Sequence, residues 1–443
     1  PLITCFVSFK RREFFSSFRV LILKNSFFRE GIIMNIKQIK SITMKLNLRF
    51  WSGFILGFLV LLFTGQLAFA QDAGIYQLET QNTSMIFTGK PDGKFNFQYF
   101  GRKIANPQQL LRGGTGVNVE AYTSFGLHCE EEKALRVTHS DGNLSTDLYL
   151  KDVQITDNGN STLLKVMLYD NQYPFYVDLF YKAYKKNDVY EIWTEIRHEE
   201  KKPVTLYKFA SFSMTLQTYD PWLMHFHGNW GDEYNMFEEK LTRGLKEIRN
   251  REGVRNARHD SPVFMMSLNG KSEENEGEVI GGTLAWTGTY KFSFNYAVKH
   301  NIEFLVGMNE DASHYTLEKD EVFETPKFYL SYSDQGKGQI SRNFHSWSRE
   351  NYIIDGMEAR KILLNSWEGV YFDVSEKDML GMIDDIADMG GEMFVMDDGW
   401  FGDKYPRDNA TTSLGDWMVN TRKLPDGLDP LLNRADERDI IFG

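Results

Sequence analysis

The chain has 443 residues, of which 42% are hydrophobic and 14% aromatic, so it can build large cores and is not expected to be disordered. This length suits two or three domains. The formal net charge of −11, from 61 acidic against 50 basic residues, argues against nucleic acid as a partner, because phosphate binding requires a net basic surface. An uncharged ligand is compatible with this balance.

Residues 44–70 carry the three parts of a secretory signal peptide. Met44 opens a short basic segment, residues 54–63 are an apolar run, and an A-x-A cleavage site ends at Ala70. A membrane anchor is the alternative, but the run is well short of the roughly 20 apolar residues that span a bilayer. We therefore expect a secreted or periplasmic protein with no membrane anchor after cleavage.

Residues 1–43 precede this signal peptide and have a basic, phenylalanine-rich composition unlike the rest. We interpret them as translated upstream sequence, or as the result of a wrongly placed start, and exclude them from the fold prediction. The expected mature chain begins at Gln71 and contains a single cysteine, Cys129, so it forms no intramolecular disulfide. Its stability must then come from packing.

Residues 71–337 are predicted to form one large antiparallel β-sandwich. Side chains alternate with a period of two in runs such as 189–196, and polar turns separate one run from the next. Strands are predicted at 163–169, 175–184 and 189–196. Runs of this kind continue to about residue 335, which favours a single sandwich.

A change of period marks the end of the sandwich. Ile340, Phe344 and Trp347 recur at helical spacing, which predicts a helix over 339–351. We assign residues 338–354 to a linker built around this helix.

Apolar strands alternate with amphipathic helices over residues 355–443. Strands are predicted at 361–365, 393–396 and 440–443, and the helix between the first two begins after Asp373 or Ser375. The side chains expected to be buried on the two helices are Met379, Met382, Ile383, Ile386 and Ala387, then Leu428, Leu431, Leu432 and Ala435. This alternation predicts a parallel sheet, either a barrel or an open doubly wound sheet, and the domain is expected to be incomplete.

Two carboxylates, Asp397 and Asp398, follow the predicted strand 393–396 where it must leave the core. Ligands of βα folds are held at this carboxyl end, and paired carboxylates there can bind a cation, act as acid and base, or accept hydrogen bonds from hydroxyl groups. The alternative is that one aspartate caps the following turn. Trp367, at the end of the preceding strand, and the long polar loop that follows favour a ligand site.

Several motifs follow one another at characteristic spacing between residues 361 and 428. They are Asn365-Ser366-Trp367-Glu368, Asp397-Asp398-Gly399-Trp400-Phe401-Gly402, Ser413-Leu414-Gly415-Asp416-Trp417 with Asn420, and Lys423-Leu424-Pro425-Asp426-Gly427-Leu428. In this order they closely resemble the α-galactosidases of glycoside hydrolase family 36. Weaker matches at 225–230, 251–262 and 344–352 extend the resemblance over most of residues 95–443.

The resemblance implies an amino-terminal β-supersandwich followed by a (β/α)8 TIM barrel, of which residues 355–443 would be the start. It implies that Asp397 and Asp398 hold the hydroxyl groups at carbons 4 and 6 of a terminal galactose, and that Trp367 lines the same pocket. The family's nucleophile and acid/base are aspartates on later barrel strands, which have no counterpart in this sequence. No catalytic residue is therefore assigned, no cofactor or metal is expected, and α-galactoside oligosaccharides would be the partners.

One loop of the family has no recognisable counterpart. The family's sandwich domain usually carries a Tyr-Gly-x-Gly-Asp-Phe-Arg-like loop that contributes to the active site, often across subunits, and the nearest segment is residues 125–131. This departure leaves open how the subsites are built and whether the protein is a homo-oligomer. Cys129 could replace a functional residue of that loop, but a buried, unreactive cysteine is the simpler interpretation.

Two histidines also invite a functional interpretation. His225 and His227 would point to one face of a strand and could bind a metal, but without a third ligand nearby we interpret them as core or surface residues. The sequence has no phosphate-cradling glycine loop, so no nucleotide is expected.

The leading hypothesis is a retaining exo-α-galactosidase that acts on terminal α-1,6-linked galactose, as in raffinose-type sugars. Retention requires two carboxyl groups about 5–5.5 Å apart, and Asp397 and Asp398 should not be that pair, because neighbouring side chains of a strand point to opposite sides. The chain alone is therefore expected to be inactive. The alternatives are an α-N-acetylgalactosaminidase, a galactosyl-transferring enzyme, and a secreted, non-catalytic carbohydrate-binding protein.

Overall fold

The computed structural model describes residues 74–443, apart from 90–92, 113–116, 118, 127–131, 256–257, 298–299 and 312. The predicted upstream segment, the signal peptide and Cys129 therefore lie outside the described residues. In the part described, no helix is long and apolar enough to cross a membrane.

The helices are α1 (Pro107–Arg112), α2 (Gly336–Asn351), α3 (Trp367–Val370), α4 (Glu376–Asp388) and α5 (Asp429–Glu437). The strands, in chain order, are β1 (Ile75–Glu79), β2 (Thr83–Gly89), β3 (Phe95–Arg102), β4 (Val119–Glu120), β5 (Leu135–Thr138), β6 (Leu148–Asp157), β7 (Ser161–Asp170), β8 (Phe175–Tyr184), β9 (Val189–His198), β10 (Val204–Gln217), β11 (Trp222–Asn229), β12 (Asp232–Lys240), β13 (Gly244–Arg249), β14 (His259–Ser267), β15 (Val279–Leu284), β16 (Tyr290–Tyr296), β17 (Asn301–Met308), β18 (Tyr315–Leu317), β19 (Val322–Glu324), β20 (Phe328–Ser333), β21 (Leu363–Asn365), β22 (Met393–Val395) and β23 (Ile441–Phe442).

Strands β1 to β20 form the antiparallel sandwich that the sequence predicts. The largest sheet has the order β12-β11-β14-β15-β20-β9-β8-β7-β6 with β19 paired to β9, and a second has the order β13-β16-β17-β10-β18 with β5 paired to β10. A smaller sheet has the order β1-β2-β3-β4. One continuous hydrophobic core joins all three sheets.

Aromatic rings connect the sheets within this core. Phe87 of β2 lies 4.6 Å from Tyr181 of β8 between ring centroids, and Phe304 of β17 lies 5.1 Å from Phe264 of β14 and 5.6 Å from Phe328 of β20. Burying a side chain of this size stabilises the fold by about 1.5–3 kcal/mol. Packing between aromatic rings is therefore a substantial contribution to the stability of the sandwich core.

The predicted strands are confirmed, with one difference in their burial. Strand β8 has the predicted bounds, β7 begins two residues earlier and ends one residue later than predicted, and β9 ends two residues later. In β9 the alternation of buried and half-buried side chains begins only at Ile192. Val189 is buried on the outer face because helix α2 covers this part of the sheet, where Trp347 packs against Val189 and Tyr329.

Helix α2 confirms the change of period at the end of the sandwich. It begins three residues before the predicted start and ends at the predicted Asn351. Ile340 and Trp347 are buried and Phe344 is partly buried against the same cluster as Trp347. The helix thus packs on the outside of the large sheet through the predicted stripe.

Strands β21, β22 and β23 form a parallel sheet in that order, with α4 and α5 following the first two strands. Ser375, and not Asp373, begins α4, since its Oγ accepts a hydrogen bond from the N–H of Asp378 at 3.2 Å. The predicted stripes are confirmed in large part, but Leu432 is 41% exposed. Its neighbour Leu431 is the buried residue, because one helical step of about 100° turns Leu432 away from the core.

Helices α1 and α3 were not predicted. They span six and four residues, which is too short for a helical period to appear in the sequence.

Candidate active site

The carboxyl ends of β21 and β22 bring two of the sequence motifs together. The strands are parallel and pair Asn365 with Val395, so the residues that follow them meet at one edge of the sheet. The N–H of Asp397 donates to Ser366 Oγ at 2.9 Å, and Asn365 Nδ2 donates to Asp397 Oδ2 at 2.7 Å. Because Ser366 is fully buried, its hydrogen bond is shielded from water.

The two adjacent carboxylates have separate sets of partners. Besides Asn365, the partner of Asp397 is the N–H of Asp398, which donates to Asp397 Oδ1 at 2.7 Å. Asp398 Oδ1 accepts from the N–H of Gly399 and from Arg407 Nε, both at 2.8 Å, and Asp398 Oδ2 accepts from Arg407 Nη2 at 2.7 Å. Asp397 is therefore held by neutral donors, whereas Asp398 forms a bidentate pair with an arginine.

The arginine stabilises the ionised form of Asp398. Its two hydrogen bonds hold the pKa of Asp398 below the ordinary value of 3.8, against an opposing effect of partial burial. The Gly399 N–H and the positive charge of Lys423 act in the same direction. The side chains of Arg407 and Asp398 are 7% and 25% exposed, so an ionised carboxylate is balanced by a nearly buried guanidinium.

Trp367 lies half-buried at the same edge, at the start of α3. The backbone N–H of Trp367 donates to Asn365 Oδ1 at 2.7 Å, so Asn365 connects Trp367 to Asp397. The indole stands edge-on to Phe372, at 4.9 Å and 90°, and to Tyr371, at 5.3 Å and 83°. The structure thus brings the three residues that the sequence assigned to substrate binding to one edge of the sheet and fixes the plane of the indole.

The turn after the carboxylates requires glycine. Gly399 has φ +103°, and a Cβ at this position would lie 2.9 Å from Cα of Phe372. Beyond the turn, Trp400, Phe401 and Trp417 form an aromatic cluster, with 4.8 Å between the ring centroids of Phe401 and Trp417. The turn at Gly399 therefore places the start of the long loop after β22 directly against Phe372, which follows α3.

Lys423 ties the long loop back to this turn. Its Nζ donates to the carbonyls of Phe372, Gly399 and Arg407 at 2.7, 2.8 and 3.2 Å, and pairs with Asp408 at 2.8 Å. The sequence placed Arg407 in a polar loop and Lys423 in a family motif without giving either a role. No period marks such loop contacts, and the available signal was that basic residues follow the two carboxylates within the same loop.

His225 and His227 lie on β11 and face the same carboxylate. Their Nδ1 atoms are 3.7 and 3.6 Å from Asp260 Oδ1, and Glu239 Oε1 lies 3.1 Å from His225 Nε2. Within the described ranges, no group of three or more histidine, cysteine, aspartate or glutamate side chains is placed so that it could hold a metal ion. Of the segment 125–131, which differs from the family loop, residues 127–131 lie outside the described residues.

The chain is an antiparallel sandwich joined to parallel βα units, and two adjacent carboxylates and a tryptophan lie at the carboxyl ends of the parallel strands, where folds of this kind hold their ligands. Residues 93–318 match the model of the glycosyl hydrolase family 36 N-terminal domain, and residues 322–443 match the melibiase model. The chain belongs to glycosyl hydrolase family 36. Its parallel sheet is accordingly the start of the family's barrel. The sequence pattern alone had left open whether this sheet belongs to a barrel or to an open doubly wound sheet.

Relatives of known activity agree with this assignment. The chain is 30% identical over 394 residues to alpha-galactosidase C of Emericella nidulans, covering 83% of this chain and 52% of that protein. A crystal structure of a variant of the GH36 alpha-galactosidase AgaA from Geobacillus stearothermophilus, in complex with 1-deoxygalactonojirimycin, matches with a TM-score of 0.78 at 25% identity, covering 83% of this chain and 56% of that one. Other AgaA variants were crystallised with stachyose and with raffinose. This chain spans about half the length of the curated relatives that it matches.

Proposed function

We propose that the protein to which this chain belongs is a retaining exo-α-galactosidase, which removes terminal α-linked galactose from oligosaccharides. The family and its α-galactosidase members support hydrolysis of galactosides. The raffinose and stachyose complexes of AgaA support α-1,6-linked galactosides of the raffinose type as substrates.

The observation that carries the proposal is the number of acceptor positions that the two carboxylates leave open. A carboxylate has about four such positions. Among the described residues, two are filled on Asp397 and three on Asp398. The remaining positions suit hydroxyl groups, which can donate a hydrogen to each. In this proposal Asp397 and Asp398 bind the hydroxyls at carbons 4 and 6 of galactose, with Trp367 along the same pocket.

The same geometry supports a binding role over a catalytic one. In a retaining enzyme one carboxylate must attack the anomeric carbon while a carboxylic acid protonates the leaving oxygen. The ion pair with Arg407 stabilises the ionised form of Asp398 and lowers its pKa, which disfavours a role as the acid. We place the nucleophile and the acid/base in the part of the relatives' length that this chain does not span, and we propose that the 443 residues alone are inactive. We also propose that residues 44–70 direct secretion, which sequencing the mature amino terminus would test.

The proposal is tested with the full-length product of the gene and with the 443-residue chain. The full-length protein should hydrolyse nitrophenyl α-galactoside far faster than the corresponding α-N-acetylgalactosaminide, and NMR of the first product should show the α-anomer. The 443-residue chain should release no nitrophenol. Release of the β-anomer would refute retention, preference for the acetamido sugar would indicate an α-N-acetylgalactosaminidase, and binding without turnover by the full-length protein would indicate a carbohydrate-binding protein.

A further inference from the structure

The guanidinium of Arg407 is held on every side. Its Nε and Nη2 donate to Asp398, and its Nη1 donates to the carbonyl of Thr412 at 2.8 Å. The rings of Phe372 and Phe401 lie 5.4 and 5.8 Å from it. A planar guanidinium with these contacts cannot rotate without losing several of them at once.

The hydrogen bonds from this guanidinium determine which acceptor positions of Asp398 remain open. The N–H of Gly399 and Arg407 Nε occupy both acceptor positions of Oδ1, and Arg407 Nη2 occupies one position of Oδ2. One acceptor position therefore remains, on Oδ2. If Asp398 rotated about its side chain, it would have to break a bidentate ion pair that is largely out of water.

We propose that Arg407 is a positioning residue, which orients Asp398 so that Oδ2 presents a single acceptor position to one hydroxyl group of the galactoside. The inference rests on the proposed function, because it deepens the role of Asp398 in the same site. Lys423 completes the arrangement. By donating to the Arg407 carbonyl and to the Gly399 carbonyl, it holds the loop that carries the arginine against the turn that carries the carboxylate.

The Arg407→Lys variant distinguishes an arginine that orients Asp398 from one that only balances its charge. A lysine at position 407 would keep one positive charge near Asp398 but could not donate to both of its oxygens in a plane. If Arg407 served only to balance a buried charge, Arg407→Lys would behave like the wild type. If it orients the carboxylate, the lysine variant should bind galactosides poorly even though it folds.

The test uses the full-length protein with Arg407→Lys, Arg407→Met, Asp398→Asn and the double variant Arg407→Lys/Asp398→Asn. Arg434→Met is the matched control. Arg434 of α5 also donates through Nε to an aspartate, Asp384 of α4, at 2.9 Å, but in the described part of the chain neither residue forms a hydrogen bond or an ion pair with Asp397 or Asp398. For each variant, kcat and KM on nitrophenyl α-galactoside and the pH dependence of kcat/KM are measured.

We expect Arg407→Lys to lower kcat/KM about ten- to hundredfold, chiefly through KM. In the Asp398→Asn background the same change should cost less than about twofold, because its target is gone. In Arg407→Met the acidic limb of kcat/KM should move to higher pH, since the pKa of Asp398 rises without the guanidinium. Arg434→Met should show none of these effects.

Wild-type kinetics of Arg407→Lys would overturn the inference, as would an equal loss in both backgrounds or an unmoved acidic limb in a folded Arg407→Met. Should Arg407→Met fail to fold, the lysine variant and the double variant decide the question. Wild-type kinetics of Asp398→Asn would instead remove Asp398 from the substrate site, which refutes that part of the proposed function and is distinguishable from failure of the positioning role alone.

Discussion

Asp397→Asn and Asp398→Asn are expected to have different consequences, although the residues are neighbours and the substitution is the same. At Asp397 an amide keeps one acceptor oxygen, so of the two neutral donors, Asn365 Nδ2 and the Asp398 N–H, one loses its partner. Losing one such bond costs about 1 kcal/mol of stability. Losing a charged hydrogen bond to a substrate hydroxyl costs about 1.5–3 kcal/mol, or about ten- to a hundredfold in kcat/KM.

At Asp398 the same change also leaves Arg407 without its counter-ion. Breaking a fully buried ion pair by removing one partner costs about 3–5 kcal/mol. The cost here is smaller than that, because the Asp398 side chain is 25% exposed. We therefore expect Asp398→Asn to lose both kcat/KM and stability, whereas Asp397→Asn should lose kcat/KM with only a small fall in its melting temperature.

Both variants of the full-length protein would be compared by steady-state kinetics on nitrophenyl α-galactoside and by thermal unfolding, with Asp403→Asn as a control in the following loop. Asp403 accepts from Thr421 Oγ1 at 3.0 Å and has no ion pair with Arg407. An Asp397→Asn variant with normal kinetics and a large loss of stability would show that Asp397 is a structural turn residue, and would refute the reasoning.

Three further changes test the local structure. Gly399→Ala should lower both the melting temperature and kcat/KM, since alanine is strained at φ +103° and its Cβ would press on Phe372; equal stability of the alanine variant would contradict the close turn. Ser375→Ala should destabilise the domain that contains α4 by about 0.5–2 kcal/mol through loss of the cap, whereas Ser348→Ala in α2, whose hydroxyl donates to the carbonyl of His345 and caps no helix, should have little effect in the same unfolding experiment. The Asp398 carboxylate should contribute stability above pH 4 that is lost as the pH falls through its lowered folded-state pKa, so the wild type should lose more stability than Asp398→Asn between pH 5 and pH 3.

The order of elements could be predicted from the sequence because burial imposes a period on it. The run 175–184, followed by a polar turn, predicted β8 to the residue, and the stripe of Ile340, Phe344 and Trp347 predicted the helix that covers the large sheet. Where both faces of a strand are covered, the alternation of buried and exposed side chains disappears. Val189 of β9 is an example, because helix α2 covers the outer face of the sheet at this residue. The choice between a barrel and an open sheet depends on how distant strands pair, and periodicity carries no information on that pairing.

The candidate site could be located from the sequence but not built from it. The positions of Asp397, Asp398 and Trp367 at strand ends predicted their meeting at one edge, because parallel strands end on the same side. The roles of Arg407 and Lys423 depend on a loop of about thirty residues that folds back on itself, and such contacts leave no periodic signal. The bidentate pair between Arg407 and Asp398 therefore becomes apparent only from the three-dimensional structure.

The central claim, that these strand-end carboxylates bind the hydroxyl groups of galactose, is tested most directly with deoxygenated substrates. For the full-length protein, kcat/KM would be measured on nitrophenyl α-galactoside and on its 4-deoxy and 6-deoxy analogues, for the wild type and for Asp397→Asn. We predict that the substitution costs about ten- to a hundredfold on the parent galactoside and less than about threefold on at least one deoxy analogue, because the hydroxyl that Asp397 would hold is already absent. The same penalty on all three substrates would contradict the account.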